Sequence, residues 1–332
     1  RDVERSRGLG DVYKRQAKRD YTLKATAGTD YKIRIEYMQA GAEALLRFDL
    51  GIYRHISPEM VVDRVKEADI VIFAGGISPS LEGEEMYSVN SPGFAGGDRT
   101  SIELPQVQRD ILKALKKAGK KVVFVNCSGS AVALVPEMES CDAILQAWYP
   151  GQSGGLAVAD VLFGDFNPSG KLPVTFYRNT DQLPDFEDYS MKNRTYRYMT
   201  EAPLFPFGYG LSYTTFDISK GRLNKKTISA GQDLNFKVNV KNTGKCDGAE
   251  VIQVYVRKVD DAEGPIKSLR AFRRVPLKAG ETCVVSIDLL PTTFEFFDPT
   301  TNTMRIMPGK YEIMYGNSSD IPSGNKLSVT LR

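Results

Sequence analysis

The 332-residue sequence is poor in the residues that most often build metal sites and nucleophilic triads. Its 1 histidine, His55, excludes any metal site that needs two or three imidazole ligands, and it leaves a Ser-His-Asp arrangement with one candidate base. Its 4 cysteines lie far apart without C-x-x-C spacing, so neither a zinc knuckle nor a dense disulfide framework is predicted. Carboxylate chemistry is favoured by elimination.

The sequence also lacks an excess of one charge and long apolar runs. The 44 Lys and Arg residues nearly balance the 41 Asp and Glu residues, leaving a net charge of +3, so we expect no nucleic-acid partner. No apolar run approaches the ~18 residues of a membrane-spanning helix, so we expect no membrane span. Hydrophobic residues make up 42% of the sequence, which is enough for sizeable cores. At roughly 150 residues per domain, the length predicts about two domains.

The first part of the chain differs from the rest. Residues 1–16 are highly charged and show no periodicity, and we expect a non-native or disordered leader. Residues 17–55 contain two runs of alternating apolar and polar residues, at 31–37 and 46–52, which predict two half-buried strands. Because two strands alone are only marginally stable, we interpret this part as the β-strand remnant of a larger β domain.

The remainder is predicted to form two domains of different class. In residues 56–211, strands predicted over 69–75, 121–126, 141–148 and 171–177 alternate with helices over 105–118 and 151–163. This pattern is typical of an α/β sandwich domain with a mostly parallel sheet. Residues 212–332 contain only alternating runs separated by turn residues, which predict an all-β immunoglobulin-like or fibronectin-like sandwich.

The densest chemical feature is the acidic run LEGEE at 81–85, just past the carboxyl end of the strand predicted over 69–75. Ligand sites of open α/β sheets lie at that end of the strands. The carboxyls of Glu82, Glu84 and Glu85 repel one another, which favours a proton on one of them, as a general acid requires. A loop rich in Gly, Pro and Ser then leads to Asp98 and Arg99. The alternative interpretation is a solvated acidic loop.

The segment 77–108, with ISPSLEGEEM followed by GGDRTSIELPQVQ, resembles the acid/base loop of glycoside hydrolase family 3, especially its β-xylosidase branch. The segment 148–176 resembles the closing helix and strand of that family's α/β domain, and 194–216 resembles its junction into a fibronectin type III-like domain. The resemblance covers residues 56–332. Residues 17–55 resemble the end of a PA14 domain, which some members carry as an insertion.

The resemblance implies a hydrolase that removes terminal, non-reducing β-linked sugars from plant-type oligosaccharides, as in xylan degradation. A β-xylosidase is expected first and a β-glucosidase next. Retaining hydrolysis needs two carboxyls ~5 to 5.5 Å apart. In this family the nucleophilic Asp belongs to an N-terminal (β/α)8 barrel and the acid/base Glu to a loop of the α/β domain. The barrel is absent from this sequence, so we expect it to be the partner of this chain and expect the chain alone to be inactive.

The resemblance also implies which residues form the site. By its position in the E-x-E pair, Glu84 is the expected acid/base, with Glu82 as the alternative, and Asp98 and Arg99 are the expected substrate-binding residues. The family places this Glu four residues before the Arg, whereas Glu84 and Arg99 here are separated by an inserted loop. No cofactor and no metal are implied. A periplasmic or extracellular location is expected.

Other interpretations stay open. A non-catalytic carbohydrate-binding or scaffold module would contain the same sandwich, but it would have no reason to carry the acidic run with Asp98 and Arg99. A nucleotide-binding enzyme would need a phosphate fingerprint, and the Gly-rich segment from Gly151 lacks one, so we expect these glycines to serve helix packing. Trp148 and Tyr149 could stack on a sugar ring, but we favour a Trp that plugs the end of the sheet.

Overall fold

The computed structural model describes residues 21, 23–36, 48, 50, 51, 56–79, 81, 82, 90–96 and 98–332. The chain divides into two compact units, Arg1–Arg54 and His55–Arg332. The leader expected over 1–16 lies outside the described residues. Within the described residues, no helix is both long enough and apolar enough to cross a membrane.

The described residues of the first unit contain no strand. Residues 31–36 do not form the strand expected over 31–37, and the side chains of Tyr31, Ile33 and Ile35 are exposed. Alternation creates an apolar face, but a strand also needs a hydrogen-bonded neighbour, and the described residues of this unit supply none. A turn at residues 27–28 precedes residues 31–36, closed by the Thr29 N–H donating to the Thr26 carbonyl at 3.2 Å, and the Thr26 N–H donates to the Tyr31 hydroxyl at 2.8 Å. The second expected strand, over 46–52, lies mostly outside the described residues.

The second unit begins with helices packed on a small parallel sheet. Its helices are α1 (Pro58–Arg64), α2 (Gln106–Lys117), α3 (Val135–Ser140), α4 (Gly154–Phe163) and α5 (Thr195–Tyr198). Its strands are β1 (Ile70–Gly76), β2 (Asn90–Ser91), β3 (Phe94–Ala95), β4 (Asp98–Arg99), β5 (Lys121–Cys127) and β6 (Ala143–Gln146). Strands β1, β5 and β6 pair in parallel with β5 in the centre, while β2, β3 and β4 form a separate antiparallel sheet. The predicted α/β class is confirmed.

Local sequence explains how these elements begin and end. Ser57 caps α1 by accepting a hydrogen bond from the Met60 N–H at 3.4 Å, and Pro58 occupies the first turn. Gly119 follows α2 with a φ of 77°, the left-handed conformation that commonly ends a helix. The core between α2 and β5 is fully buried, with 0% exposure of Leu112, Leu115, Val122 and Phe124.

The prediction of a strand over 171–177 is wrong, because this segment makes only an irregular pairing. The Leu172 N–H donates to the Tyr209 carbonyl at 2.8 Å, and the Phe176 N–H donates to the Phe205 carbonyl at 3.0 Å. These contacts leave one isolated bridge, between Phe176 and Phe205. Pro173 lies between them and has no N–H to donate, so a regular ladder is interrupted there.

The remaining strands form a β-sandwich. They are β7 (Phe216–Leu223), β8 (Thr227–Ile228), β9 (Leu234–Asn242), β10 (Gly248–Lys258), β11 (Ser268–Leu277), β12 (Thr282–Leu289), β13 (Glu295–Asp298), β14 (Thr303–Ile306), β15 (Gly309–Gly316) and β16 (Lys326–Leu331). One sheet has the order β11-β10-β15-β16-β8, the other has β12-β9-β7, and β13 pairs with β14. Alternate residues of β9 are 0% exposed: Leu234, Phe236, Val238 and Val240. The predicted sandwich is confirmed, although the alternating runs that predicted it did not include β7, β8, β11, β13 or β14. In β11, arginines interrupt the apolar pattern.

Aromatic and ionic contacts join the α/β domain to the sandwich. The ring of Tyr196 in α5 stacks on Phe207 with centroids 4.3 Å apart, and it meets Tyr255 of β10 edge to face at 5.7 Å. Lys171 Nζ lies 2.7 Å from Glu250 Oε1, and the two side chains are only 12% and 6% exposed. An unpaired charge in such a place would be costly, so these contacts favour one fixed arrangement of the two domains.

We therefore expect the α/β domain and the sandwich to unfold together. Calorimetry of the whole chain should show one main transition for both, because packed aromatic surface and a buried ion pair would be lost if either domain unfolded alone. Limited proteolysis should cut slowly between Tyr196 and Phe216. Two well-separated transitions, or rapid cleavage there that releases stable halves, would identify this segment as a flexible tether.

Glu103 ties the start of α2 to a distant loop. Its carboxylate accepts a hydrogen bond from the Ser101 hydroxyl. It also accepts from the Thr180 N–H at 2.9 Å and from the Thr180 hydroxyl at 2.5 Å. Burial raises the pKa of Glu103, but these hydrogen bonds outweigh it and lower the pKa from 4.5 to about 2. The ionised carboxylate therefore stabilises the folded state.

The Glu103 carboxylate should make the free energy of unfolding depend on pH. A lowered folded-state pKa gives a contribution that is present above the unfolded value of 4.5 and is lost as the pH falls toward about 2. In urea unfolding at about pH 6, 4.5 and 3, Glu103→Gln should be destabilised at about pH 6 and should approach the wild type at about pH 3. The exposed Glu139→Gln is the control. A constant difference between wild type and Glu103→Gln would contradict the assignment.

Candidate active site

The end of β1 is clamped by a glutamine from α2. Gln108 Oε1 accepts from the Gly76 N–H at 2.8 Å, and Gln108 Nε2 donates to the Gly76 carbonyl at 2.7 Å. Gly76 has a φ of 123°, which disfavours any other residue, and a Cβ at Gly75 would lie 2.4 Å from Gln108 Oε1. The start of the acidic segment is therefore fixed, because Ile77 follows directly and its N–H donates to the Cys127 carbonyl of β5 at 2.9 Å.

Glu82 lies one turn beyond that clamp, over the carboxyl ends of the parallel strands. The Tyr149 hydroxyl donates to Glu82 Oε2 at 2.8 Å, and the Ser130 hydroxyl donates to Glu82 Oε1 at 3.2 Å. Arg99 Nη1 lies 3.8 Å from the same Oε1. The Glu82 side chain is only 22% exposed, and both of its carboxylate oxygens face protein groups.

Arg99 returns to Glu82 through the inserted loop. Arg99 lies in β4, which pairs with β3, and β3 pairs with β2. The Arg99 guanidinium donates from Nη1 to Ser130 Oγ at 2.8 Å and to the Ala131 carbonyl at 3.2 Å, and from Nε to the Ser101 carbonyl at 3.2 Å. Burial lowers the pKa of Arg99, and the Glu82 carboxylate opposes this effect. The residue is held by protein groups rather than by solvent.

Tyr149 connects β6 to the acidic segment. Besides Glu82, its hydroxyl contacts the Ile77 carbonyl at 2.8 Å. Burial raises the pKa of this phenol, and the hydrogen bond to Glu82 adds to the effect. The preceding residue, Trp148, has a φ of 58° and packs edge to face on Phe176, with ring centroids 6.1 Å apart. Trp148 is half-buried and packs on Phe176, and its role as a plug of the sheet stays a prediction, whereas Tyr149 supports a carboxylate.

A network of hydrogen-bonded polar residues lies beneath these contacts. Asn126, at the end of β5, is 0% exposed and donates to Gln146 Oε1 of β6 at 2.6 Å and to Ser128 Oγ at 3.2 Å. Ser128 in turn donates to the Ser130 carbonyl at 2.9 Å. Hydrogen bonds thus run from the middle of the sheet to Ser130, which contacts both Arg99 and Glu82.

The structure brings together two of the four expected site residues, Glu82 and Arg99. Asp98 is exposed at the start of β4, and the described part of the chain offers its side chain no hydrogen-bond partner. Glu84, the expected acid/base, lies outside the described residues, as does His55. Among the described residues, no group of three or more His, Cys, Asp or Glu side chains is arranged to hold a metal ion.

Sequence reasoning did not assign three residues to the support of the site: Gln108, Ser130 and Tyr149. It considered Tyr149 only as a residue that could stack on a sugar ring. Gln108 is the last residue of the segment GGDRTSIELPQVQ, and its spacing after the acidic run was the one available signal. Ser130 and Tyr149 lie in loops 48 and 67 residues away from Glu82 along the chain. Their contacts depend on which loops the sheet brings together, and no local pattern indicates that.

Two family descriptions match the chain. The family described as Glycosyl hydrolase family 3 C-terminal domain matches residues 11–213, and the Fibronectin type III-like domain matches residues 250–319. The first match includes all of residues 17–55, the segment that resembles a PA14 tail, and the PA14 interpretation stays a prediction.

Curated relatives are named as glycosidases. A xylan 1,4-β-xylosidase of Xylanibacter ruminicola is 56% identical over 93% of this chain and 36% of its own length. A periplasmic β-glucosidase of Salmonella typhimurium is 39% identical over 79% of this chain and 35% of its own length. The chain spans little more than a third of these relatives.

Solved structures give the same result for the fold. A β-glucosidase of Erythrobacter marinus aligns with a TM-score of 0.70 and 35% identity over 83% of this chain and 36% of its own. A β-glucosidase of Listeria innocua in complex with glucose aligns with a TM-score of 0.68 and 31% identity over 84% of this chain and 39% of its own. With residues 11–213 matching its C-terminal α/β domain and a fibronectin type III-like domain following, the chain belongs to glycosyl hydrolase family 3.

Proposed function

We propose that this chain is the C-terminal part of a retaining β-glycosidase that removes terminal, non-reducing β-linked sugars, with β-xylosides preferred and β-glucosides next. The observation that carries the proposal is the acidic segment anchored by Glu82 above the carboxyl ends of β1, β5 and β6. The 56% identity to a protein named xylan 1,4-β-xylosidase supports β-xylosides as substrates.

The contacts of Glu82 favour Glu84 as the acid/base. A general acid must point an O–H at the leaving-group oxygen. Both oxygens of Glu82 already face Tyr149, Ser130 and Arg99, so this carboxyl is directed into the protein. Glu84 follows two residues later on a segment whose start is fixed. Glu82 therefore serves as the anchor, and Glu84 as the acid that protonates the leaving group and as the base that then activates water.

The second carboxyl belongs to another part of the longer polypeptide. In retaining hydrolysis a nucleophilic carboxylate attacks the sugar while the acid protonates the departing oxygen, and water later releases the sugar. We assign the nucleophile to an Asp of an N-terminal (β/α)8 barrel. Because the chain spans 36% of its xylosidase relative, such a domain fits within the remaining length of that protein.

Arg99 and Asp98 differ in their availability to substrate. Arg99 donates to Ser130, to the Ala131 carbonyl and to the Ser101 carbonyl, so we assign it to holding the acidic segment. Asp98 is exposed on the neighbouring position of β4 and remains the proposed contact to a sugar hydroxyl. We also propose a periplasmic or extracellular location, which is supported by the similarity to the periplasmic β-glucosidase of Salmonella typhimurium.

The chain by itself should not hydrolyse glycosides. Purified 332-residue protein, incubated with 4-nitrophenyl β-xyloside or β-glucoside, should show no turnover above background, because one of the two required carboxyls is supplied by the barrel. Binding of the sugar without turnover would be consistent with this. Robust turnover by the isolated chain would place both carboxyls within it and refute the proposed division.

In the full-length protein, Glu84→Ala should lose about 10² to 10⁴ in kcat on xylosides with poor leaving groups, since general acid catalysis is worth roughly that much. Activated aryl xylosides should lose less in the first step. Added azide should partly restore their turnover, because it attacks the glycosyl-enzyme without a general base and releases the enzyme carboxylate and a glycosyl azide. Steady-state kinetics with and without azide measure both effects. The exposed Glu139→Ala, which also removes one carboxyl, is the matched control.

Two results would change the assignment. If Glu82→Ala shows azide rescue and Glu84→Ala does not, the acid/base is Glu82. If the full-length protein binds xylo-oligosaccharides but hydrolyses no β-xyloside or β-glucoside, the non-catalytic carbohydrate-binding interpretation replaces the enzyme.

A further inference from the structure

We propose that Tyr149 is a positioning residue that acts on the reaction through Glu82. The inference rests on the proposed function, since it concerns the placement of the acid/base segment. The Tyr149 hydroxyl lies 2.8 Å from Glu82 Oε2 and 2.8 Å from the Ile77 carbonyl that follows β1. It therefore joins the loop after β6, the end of β1 and the acidic segment at one point.

Two features of the backbone fix where the Tyr149 ring lies. A Cβ at Gly129 would lie 2.6 Å from Tyr149 Cε2, so the ring rests directly on the backbone of the loop after β5. Trp148 has a φ of 58°, in the left-handed region that is unfavourable for a bulky side chain. Such a conformation persists only when the surrounding structure enforces it, and here it sets the direction in which Tyr149 leaves β6.

The Tyr149 hydroxyl also stays protonated, and so able to donate a hydrogen bond, over the pH range of the reaction. Burial, together with the neighbouring Glu82 carboxylate, raises the pKa of the Tyr149 phenol above its ordinary value of 10.0. The phenol therefore keeps its proton at any pH at which a carboxylic acid can serve as general acid. It can stabilise the Glu82 carboxylate throughout that range.

Loss of this hydroxyl would free one side of Glu82. Ser130 and Arg99 both contact Oε1, whereas Tyr149 alone contacts Oε2 among the described residues. Without Tyr149 the Glu82 carboxylate can turn about its remaining contacts, and the start of the proposed acid/base segment loses one of the contacts that position it. Displacing a catalytic group by about 1 Å can cost as much as 10²-fold in rate, so a small shift would be measurable.

The test compares two Tyr→Phe variants of the full-length protein. Tyr149→Phe removes the hydroxyl at Glu82, and Tyr213→Phe removes a hydroxyl that donates to the Val161 carbonyl at 2.5 Å in the domain junction. We measure kcat and KM on methyl β-xyloside, a poor leaving group, and on 2,4-dinitrophenyl β-xyloside, a good one. Tyr149→Phe should lose about tenfold in kcat on the methyl xyloside, with little change in KM and little loss on the dinitrophenyl xyloside. Tyr213→Phe should change neither.

A double-mutant cycle tests whether Tyr149 acts through Glu82. Because the two side chains touch, their effects should not be additive. In the Glu82→Ala background, Tyr149→Phe should cause less than about a twofold further loss on the methyl xyloside. Additive losses would show that Tyr149 acts by a different route and would overturn the proposal.

A third variant tests whether the effect of Tyr149→Phe comes only from a loss of folding. Gly129→Ala keeps the hydroxyl but pushes the ring, so it should give the same dependence on leaving group, with Tm checked for every variant. Equal losses on both xylosides in Tyr149→Phe and Gly129→Ala would indicate general damage and overturn the proposal. An active wild type in which Tyr149→Phe behaves like Tyr213→Phe refutes the role of Tyr149 alone. A wild type that hydrolyses neither xyloside nor the corresponding glucosides refutes the proposed function, and the role of Tyr149 falls with it.

Discussion

The parallel pairing of β1, β5 and β6 is the constraint on which the candidate site depends. Parallel strands end at the same edge of a sheet, so the chain leaves all three on one side. Pairing of Gly75 with Asn126, and of Asn126 with Gln146, sets those ends level. The loops that follow then deliver Glu82, Ser130 and Tyr149 to one place, although they are far apart in sequence. A slip in register would separate them and leave Glu82 without its donors.

The same edge carries polar groups that the sheet has to accommodate. Asn126 is 0% exposed in the middle strand, where an amide without partners would be destabilising. Its contacts with Gln146 and Ser128 satisfy both N–H donors of the amide, although its Oδ1 has no partner within the described part of the chain. An apolar residue would fill this position at lower cost. A polar one extends hydrogen bonding from the sheet to Ser130, which holds the site.

Sequence periodicity was sufficient for elements that bury one regular face. The runs that became β1, β5 and β9 were predicted, since alternation or a continuous apolar run records burial directly. It failed over 171–177, where Pro173 interrupts pairing, and over 31–37, where alternation has no neighbouring strand among the described residues. At the site, charge and resemblance singled out Glu82 and Arg99, because an acidic run is visible locally. Their partners in other loops depend on tertiary structure, and so they were not predicted.

The anchoring of Glu82 also bears on why two glutamates stand so close together. A carboxylate fixed by Arg99, Ser130 and Tyr149 keeps its negative charge in one place. Residues two apart are separated by at most ~7 Å between their Cα atoms, so a fixed Glu82 limits the positions open to a side chain two residues later. Under the proposed function, in which Glu84 is the acid/base, this anchor restricts where the proton donor can lie relative to the sheet. The restriction gives the E-x-E spacing a physical reason.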